Sequence, residues 1–222
     1  MRRMIAPLLI GVVGCAILVW LGIWQVHRLA WKTDILARIE ARLAAGPVSL
    51  PADPDPDRDA WLKVQEKGAI LPGEADVYVS APGRGVGYRV VVPFALADGR
   101  RILLDRGFVP IGAKDAPRLV GPIEVRGALL WPDETDSFTA PPDRAKNIWF
   151  ARDVGLMSAA LGTLPVMLVT EASDDPAAPL ALPVSIDIPN NHLQYAVTWF
   201  GLAIAWAGMT LYWLWRIGRR TF

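Results

Sequence analysis

Two imidazoles and one thiol, His27, His192 and Cys15, are the only His and Cys side chains in this chain. A single cysteine closes no intrachain disulfide and offers no CxxC thiol-exchange or copper site. A structural zinc centre needs four ligands at recognisable spacing, which this set does not provide. A Ser-His-Asp triad would have to recruit one of the two histidines, and both lie beside long apolar runs. Gly83-Arg84-Gly85-Val86-Gly87 lacks the Lys-Ser/Thr of a phosphate loop and precedes a strand pattern, so it reads as a turn. The chain is expected not to be an enzyme.

Binding chemistry has better footing. His192 opens a stripe, His192, Trp199, Trp206 and Trp213, that recurs every seven residues, with Tyr195 one helical turn from the histidine. Two readings stand. His192 sits at the start of a helix as a capping polar residue beside Asn190 and Asn191, or it ligates a metal or haem iron on an aromatic stripe able to cover a flat macrocycle. Arg28 and Lys32, four residues apart, share a helix face that would suit anionic propionates or, equally, snorkelling anchors at a membrane surface. His27 is an ordinary interfacial residue or a weaker ligand candidate.

The elements that carry these residues follow from hydropathy. Apolar residues make up 53% of the 222, with a mean hydropathy of +0.30, against about 45–50% in an ordinary soluble domain. The surplus sits in residues 5–26 and 195–215, runs of 22 and 21 residues without a charge. Each spans roughly 30 Å as a helix, the thickness of a bilayer core. The first exceeds the about 7–15 apolar residues of a signal-peptide core, so a retained anchor is expected. The expected layout is a cytoplasmic stretch 1–4, a first span 5–26, a β-rich domain with membrane-proximal segments 27–191, a second span 192–215 and a cytoplasmic tail 216–222.

Charge orients this layout. All 22 acidic residues fall within residues 34–187, where 16 of the 23 basic residues also lie, giving that stretch a net charge of −6. An acidic domain offers no footprint for nucleic acid. Arg216, Arg219 and Arg220 follow the second span, whereas the last basic residue before it is Arg152. The positive-inside rule therefore places both termini in the cytoplasm and the central domain in the periplasm, on a bacterial inner membrane.

Within the domain, helical spacing of Ile35, Leu36, Ile39 and Leu43 ends at Gly46-Pro47. Residues 50–60 form an extended acidic segment broken by Pro51, Pro54 and Pro56. Strand patterns follow at 61–66, 75–80, 87–96, 101–109, 123–131, 147–152 and 166–171, with a short helix at 154–161. Asp98-Gly99 predicts a type I′ hairpin, and Pro93 predicts an edge or a bulge. Residues 173–189 read as a linker, and Gly201 with Ala205 as the contact face of the second span. The fold class expected is a membrane protein with two transmembrane helices enclosing a mainly antiparallel β (α+β) extracytoplasmic domain, as a sheet or small barrel.

At the two membrane boundaries the sequence resembles a known family. Gly22-Ile23-Trp24-Gln25-Val26-His27-Arg28-Leu29-Ala30-Trp31-Lys32 is similar to the G-x-W-Q-x-x-R-x-x-W-K signature of the surfeit locus protein 1 family (Shy-type), assembly factors for cytochrome c oxidase. Asn191-His192-Leu193-Gln194-Tyr195-Ala196-Val197-Thr198-Trp199-Phe200 resembles its second signature, N-H-L-x-Y-A-x-T-W-F. Asp98-Gly99 with Leu103-Leu104-Asp105-Arg106-Gly107-Phe108-Val109-Pro110 resembles D-G…L-V-x-R-G-W-V-P, with Phe108 where the family has Trp; Asn147-Ile148-Trp149 also fits.

The resemblance implies a role in supplying or placing haem a in oxidase subunit I, with haem A synthase as a further partner alongside the lipid membrane. It carries His192 over as the candidate iron ligand. Trp24, Gln25, Arg28, Tyr195 and Trp199 fall on motif positions, whereas His27 falls on a variable one. On this reading Tyr195 and Trp199 flank the ring and Arg28 meets the propionates. The alternative is a scaffold that holds a folding oxidase subunit without touching cofactor. Antiparallel spans bring the end of one signature level with the start of the other. Trp24, Gln25 and Arg28 are therefore expected to form one site with His192, Tyr195 and Trp199. An arginine there needs an anion, either a propionate or an ordinary partner such as a lipid phosphate or Asp187.

Overall fold

A computed structural model describes residues 2–182, 184 and 190–219, with Arg2 and Arg3 described in backbone only. Asp187, the end of the expected linker and Arg220 lie outside the described residues. The chain divides into two compact units, residues 1–38 with 186–222, and residues 39–185.

The first unit is a helix pair, α1 (Arg2–Ala44) and α4 (His192–Arg219). Both are long and apolar enough to cross a membrane. The first span and the helical pattern expected to end at Gly46-Pro47 are one continuous helix. Between Gly22 and Gly46-Pro47 the sequence contains no glycine or proline, so nothing stops the helix until Ala44. At 1.5 Å per residue α1 is roughly 64 Å long, about twice a bilayer core.

Positions with reduced exposure on α1 recur at spacings of three and four: Met4, Pro7, Gly11, Gly14, Leu18, Leu21 and Gln25. On α4 they are Ala196, Trp199, Ala203, Thr210, Leu214 and Ile217. This is the seam of two helices packed nearly antiparallel. Glycine makes it close. A Cβ at Gly11 would collide with Thr210, one at Gly14 with the Trp206 indole, and one at Gly22 would lie 2.7 Å from the Phe200 ring. Gly201 and Ala205, expected at this contact, are exposed, and nothing lies within 4 Å of a Cβ at Gly201. They lie well around α4 from Ala196 and Ala203, so the small residues that admit the partner come mainly from α1.

The second unit contains β1 (Lys63–Ile70), β2 (Ala75–Ala81), β3 (Gly85–Leu96), β4 (Arg101–Pro110), β5 (Gly121–Leu130), β6 (Ile148–Trp149) and β7 (Met167–Ser173). Two short helices join them, α2 (Pro56–Asp59) and α3 (Val154–Leu161). β1 pairs with β5, β5 with β7, β7 with β4, β4 with β3, and β3 with β1, which closes a five-stranded barrel. β2 and β6 extend it outward from β3. Only β4–β7 and β2–β6 are parallel.

Strand alternation sorts the side chains. Val90, Val92, Phe94, Ile102, Leu104 and Leu168 fill the barrel interior. Their neighbours Val91, Leu103, Met167 and Val169 form a second cluster with Met157 and Val154 of α3. α3 is capped by Asp153, whose carboxylate accepts from Leu156 N, and ends on left-handed Gly162.

Three expectations change. Gly99 alone takes a positive φ at the β3–β4 turn, and Asp98 does not, so the connection is a three-residue loop closed by Leu96 N to Arg100 O, not a type I′ hairpin. Pro93 is interior. It lies between Val91, the last residue paired with β2, and Phe94, the first paired with β1, so its missing N–H falls where β3 exchanges partners. The 147–152 pattern shrinks to the two residues of β6. The glycine run at 83–87 lies at the β2–β3 turn as expected, with Gly83 and Arg84 in the turn and Gly85, Val86 and Gly87 opening β3, and residue 180, placed in the linker, bridges to Phe108.

Asp105 is fully buried and is held by Arg89 Nε at 2.7 Å, Arg152 Nη1 at 3.3 Å and Gly107 N at 3.0 Å. Gly107 has φ +110, and a Cβ there would strike the Leu180 carbonyl. Asp105→Asn leaves the largely buried Arg89 without its counter-charge and Arg152 with Glu134 alone, which costs about 3–5 kcal/mol. A clear drop in the thermal midpoint of the full chain in detergent is the expected result; an unchanged midpoint would contradict this role.

Candidate functional site

Gln25 is 8% exposed although it lies in an apolar helix. An amide in such surroundings needs a partner. It finds one across the pair: Gln25 Oε1 lies 2.7 Å from His192 Nδ1. A carbonyl oxygen only accepts, so Nδ1 carries the proton and donates, and in the neutral ring the lone pair resides on Nε2. Buried Ala196, one turn after His192, and Gly22, one turn before Gln25, bring the two helices close enough for this bond.

The two signatures thus meet at Gln25 and His192. The remaining expected site residues are more exposed. Trp24 is 50% exposed and Tyr195 is 55% exposed, Trp199 is half-buried, and Arg28 is exposed with its guanidinium 4.0 Å from the centre of the Trp31 ring. His27 is exposed on another face of α1. The stripe from His192 through Trp206 to Trp213 is only partly in the seam, because a seven-residue spacing drifts around a straight helix. Trp206 and Trp213 instead border a small apolar cleft with Pro7 and Met209. One imidazole with an available nitrogen, on a helix pair that also carries exposed aromatic and cationic side chains, has the chemistry of a single ligand to a metal centre. Among the described residues no group of three or more His, Cys, Asp or Glu could hold a metal ion.

The β domain adds buried charge that sequence reasoning missed. Besides Asp105, Arg106 pairs with Asp175 at 2.8 Å with both side chains buried, and burial lowers the Arg106 pKa. Asp76 accepts from Lys114 and Asn147 at 3.0 and 3.1 Å, while its Oδ1 has no hydrogen-bond partner. Burial raises its pKa against the pull of Lys114. Asn147 reaches Asp76 from a left-handed backbone position, φ +49. The sequence signal for these residues was the charged pair Asp105-Arg106 inside an apolar strand, which alternation alone would not place there.

Comparison with known proteins aligns with these motifs. The SURF1 family model matches residues 12–204. Surfeit locus protein 1 of Takifugu rubripes is 30% identical over 83% of this chain and 87% of its own. The same-named protein of Rattus norvegicus is 27% identical over 90% of this chain and 72% of its own, and a SURF1-like protein of Drosophila melanogaster 30% identical over 83% and 70%.

The seam itself is testable through the native thiol, since Cys15 Sγ lies 3.7 Å from the Ala203 carbonyl oxygen. Ala203→Cys should crosslink to Cys15 within one chain under mild oxidation or with a short bifunctional reagent. Adding Gly22→Ile should suppress the crosslink by forcing Phe200 outward. Crosslinking confined to dimers, or unaffected by Gly22→Ile, would contradict the packing.

Proposed function

The chain belongs to the SURF1 family, and on that premise we propose that it assists assembly of cytochrome c oxidase by binding haem a and placing it in subunit I. The observation that supports this best is the hydrogen bond from His192 to Gln25, which leaves Nε2 as the basic nitrogen. Haem a would supply an iron open to an imidazole nitrogen, and His192 would hold it. The chain supplies the rest. Gln25 sets the tautomer and ring orientation of His192, as outer partners of ligating histidines do. Tyr195, Trp199 and Trp24 offer apolar ring surface beside it. Arg28 stacks through the face of its guanidinium on Trp31, which leaves its N–H edge for a carboxylate. One protein ligand and a half-open surface suit a carrier that must release its cargo. No catalytic step belongs to this reading.

The helix pair anchors the chain, and we place it in a bacterial inner membrane with both termini cytoplasmic and the barrel periplasmic, following the basic residues after α4. Haem A synthase is the supplier in this scheme and subunit I the recipient. The test is an absorption spectrum of the protein made in cells that produce haem A and purified without partners. The expected result is a haem a spectrum that is lost in His192→Ala. In Gln25→Leu, retention should fall by about 10–100-fold. Full retention in His192→Ala would overturn the ligand assignment. A colourless parent protein would favour the scaffold instead.

A further inference from the structure

The acidic proline segment, unused by the haem reading, builds one wall of a cavity of about 600 Å³ in the barrel unit. That volume lies within the range of ordinary ligand pockets. Trp131, Val166, Pro54 and Pro132 line it together with Asp53, Asp133 and Asp153. No lysine, arginine or histidine lines it. Among the described residues none of these three aspartates enters an ion pair.

The wall is preformed. Arg100 Nη1 holds the carbonyls of Pro51 and Ala52 at 2.6 and 3.0 Å. Arg58, outside the lining, holds the Asp53 carbonyl and pairs with Asp59. Asp55 caps α2 by accepting from Asp57 N and Arg58 N. These arginines thus fix the backbone and pair with Asp59 and Asp98, while Asp53 and Asp133 are exposed at the cavity, Asp133 accepting from Thr135 Oγ1 at 2.8 Å. The positive end of α3, which also borders the cavity, is already met by Asp153.

We propose that this cavity docks a partner polypeptide through an arginine or lysine side chain flanked by apolar residues. The aliphatic stem would lie against Trp131 and the prolines, and the cationic head would meet Asp53 and Asp133. Charge complementarity selects this occupant: a domain of net charge −6 with an acidic cavity that has Trp131 in its lining disfavours anions and acidic peptides.

The probe is a fluorophore-labelled peptide, acetyl-Gly-Leu-Arg-Leu-Gly-amide, titrated by anisotropy against the full chain in uncharged detergent at low salt. Saturable binding is expected. It should weaken by at least about tenfold in Asp53→Asn/Asp133→Asn and with norleucine in place of the arginine. Asp115→Asn, an exposed charge away from the cavity, should bind as the parent does. A double variant with parental affinity and an unchanged thermal midpoint would overturn the proposal. So would equal weakening by Asp115→Asn, which would mark a diffuse charge effect.

Discussion

A primary amide in an apolar helix pair needs a polar partner from the protein, because lipid offers none. Gln25 meets this constraint through His192, and much else in the first unit serves that contact. Glycines at positions 11, 14 and 22 let α1 approach α4 until Thr210, Trp206 and Phe200 touch its backbone. Ala196 and Ala203 answer them from α4. Bulk at any of these positions would separate the helices and strand both the amide and the imidazole. Packing here sets the protonation pattern of the ring, and so connects helix geometry to ligand chemistry.

The barrel unit solves a different problem. A closed ring of five strands removes most free edges, but leaves Asp105, Arg106 and Asp76 at positions where charge is costly. Each is met by fixed counter-charges: Arg89 and Arg152 for Asp105, Asp175 for Arg106, Lys114 for Asp76. Such pairs contribute little net stability compared with apolar residues, yet losing one partner is expensive. They pin strands from distant parts of the sequence, since Arg152 follows β6 and Asp175 follows β7. Proline at 93 tolerates its central strand because β3 changes partners there.

The two apolar runs, the strand alternation and the short helix at 154–161 were legible because each follows from periodicity alone. The hairpin at Asp98-Gly99 was not read correctly, since the dipeptide fits two loop lengths and strand register chose between them. Barrel closure depends on the β1–β3 pairing, a contact that no local pattern encodes. Near the site, one-turn spacing brought His192, Tyr195 and Arg28 to attention, and the family resemblance added Gln25. It did not say which of them touch. Helix rotation decided that, turning Gln25 into the seam and Trp24, next to it in sequence, half out of it. The small-residue face was placed on the wrong helix, because Gly201 and Ala205 carry the expected spacing but lack a partner at that angle.

The central claim is that Gln25 fixes the tautomer of His192. Its most direct measurement is nitrogen-15 magnetic resonance of the histidine-labelled, haem-free chain in micelles, with His27→Ala used to assign the two imidazoles. The helix pair predicts that the neutral His192 ring carries its proton on Nδ1 and not on Nε2, and loses this preference in Gln25→Leu. A proton on Nε2, or a tautomer indifferent to Gln25, would contradict it.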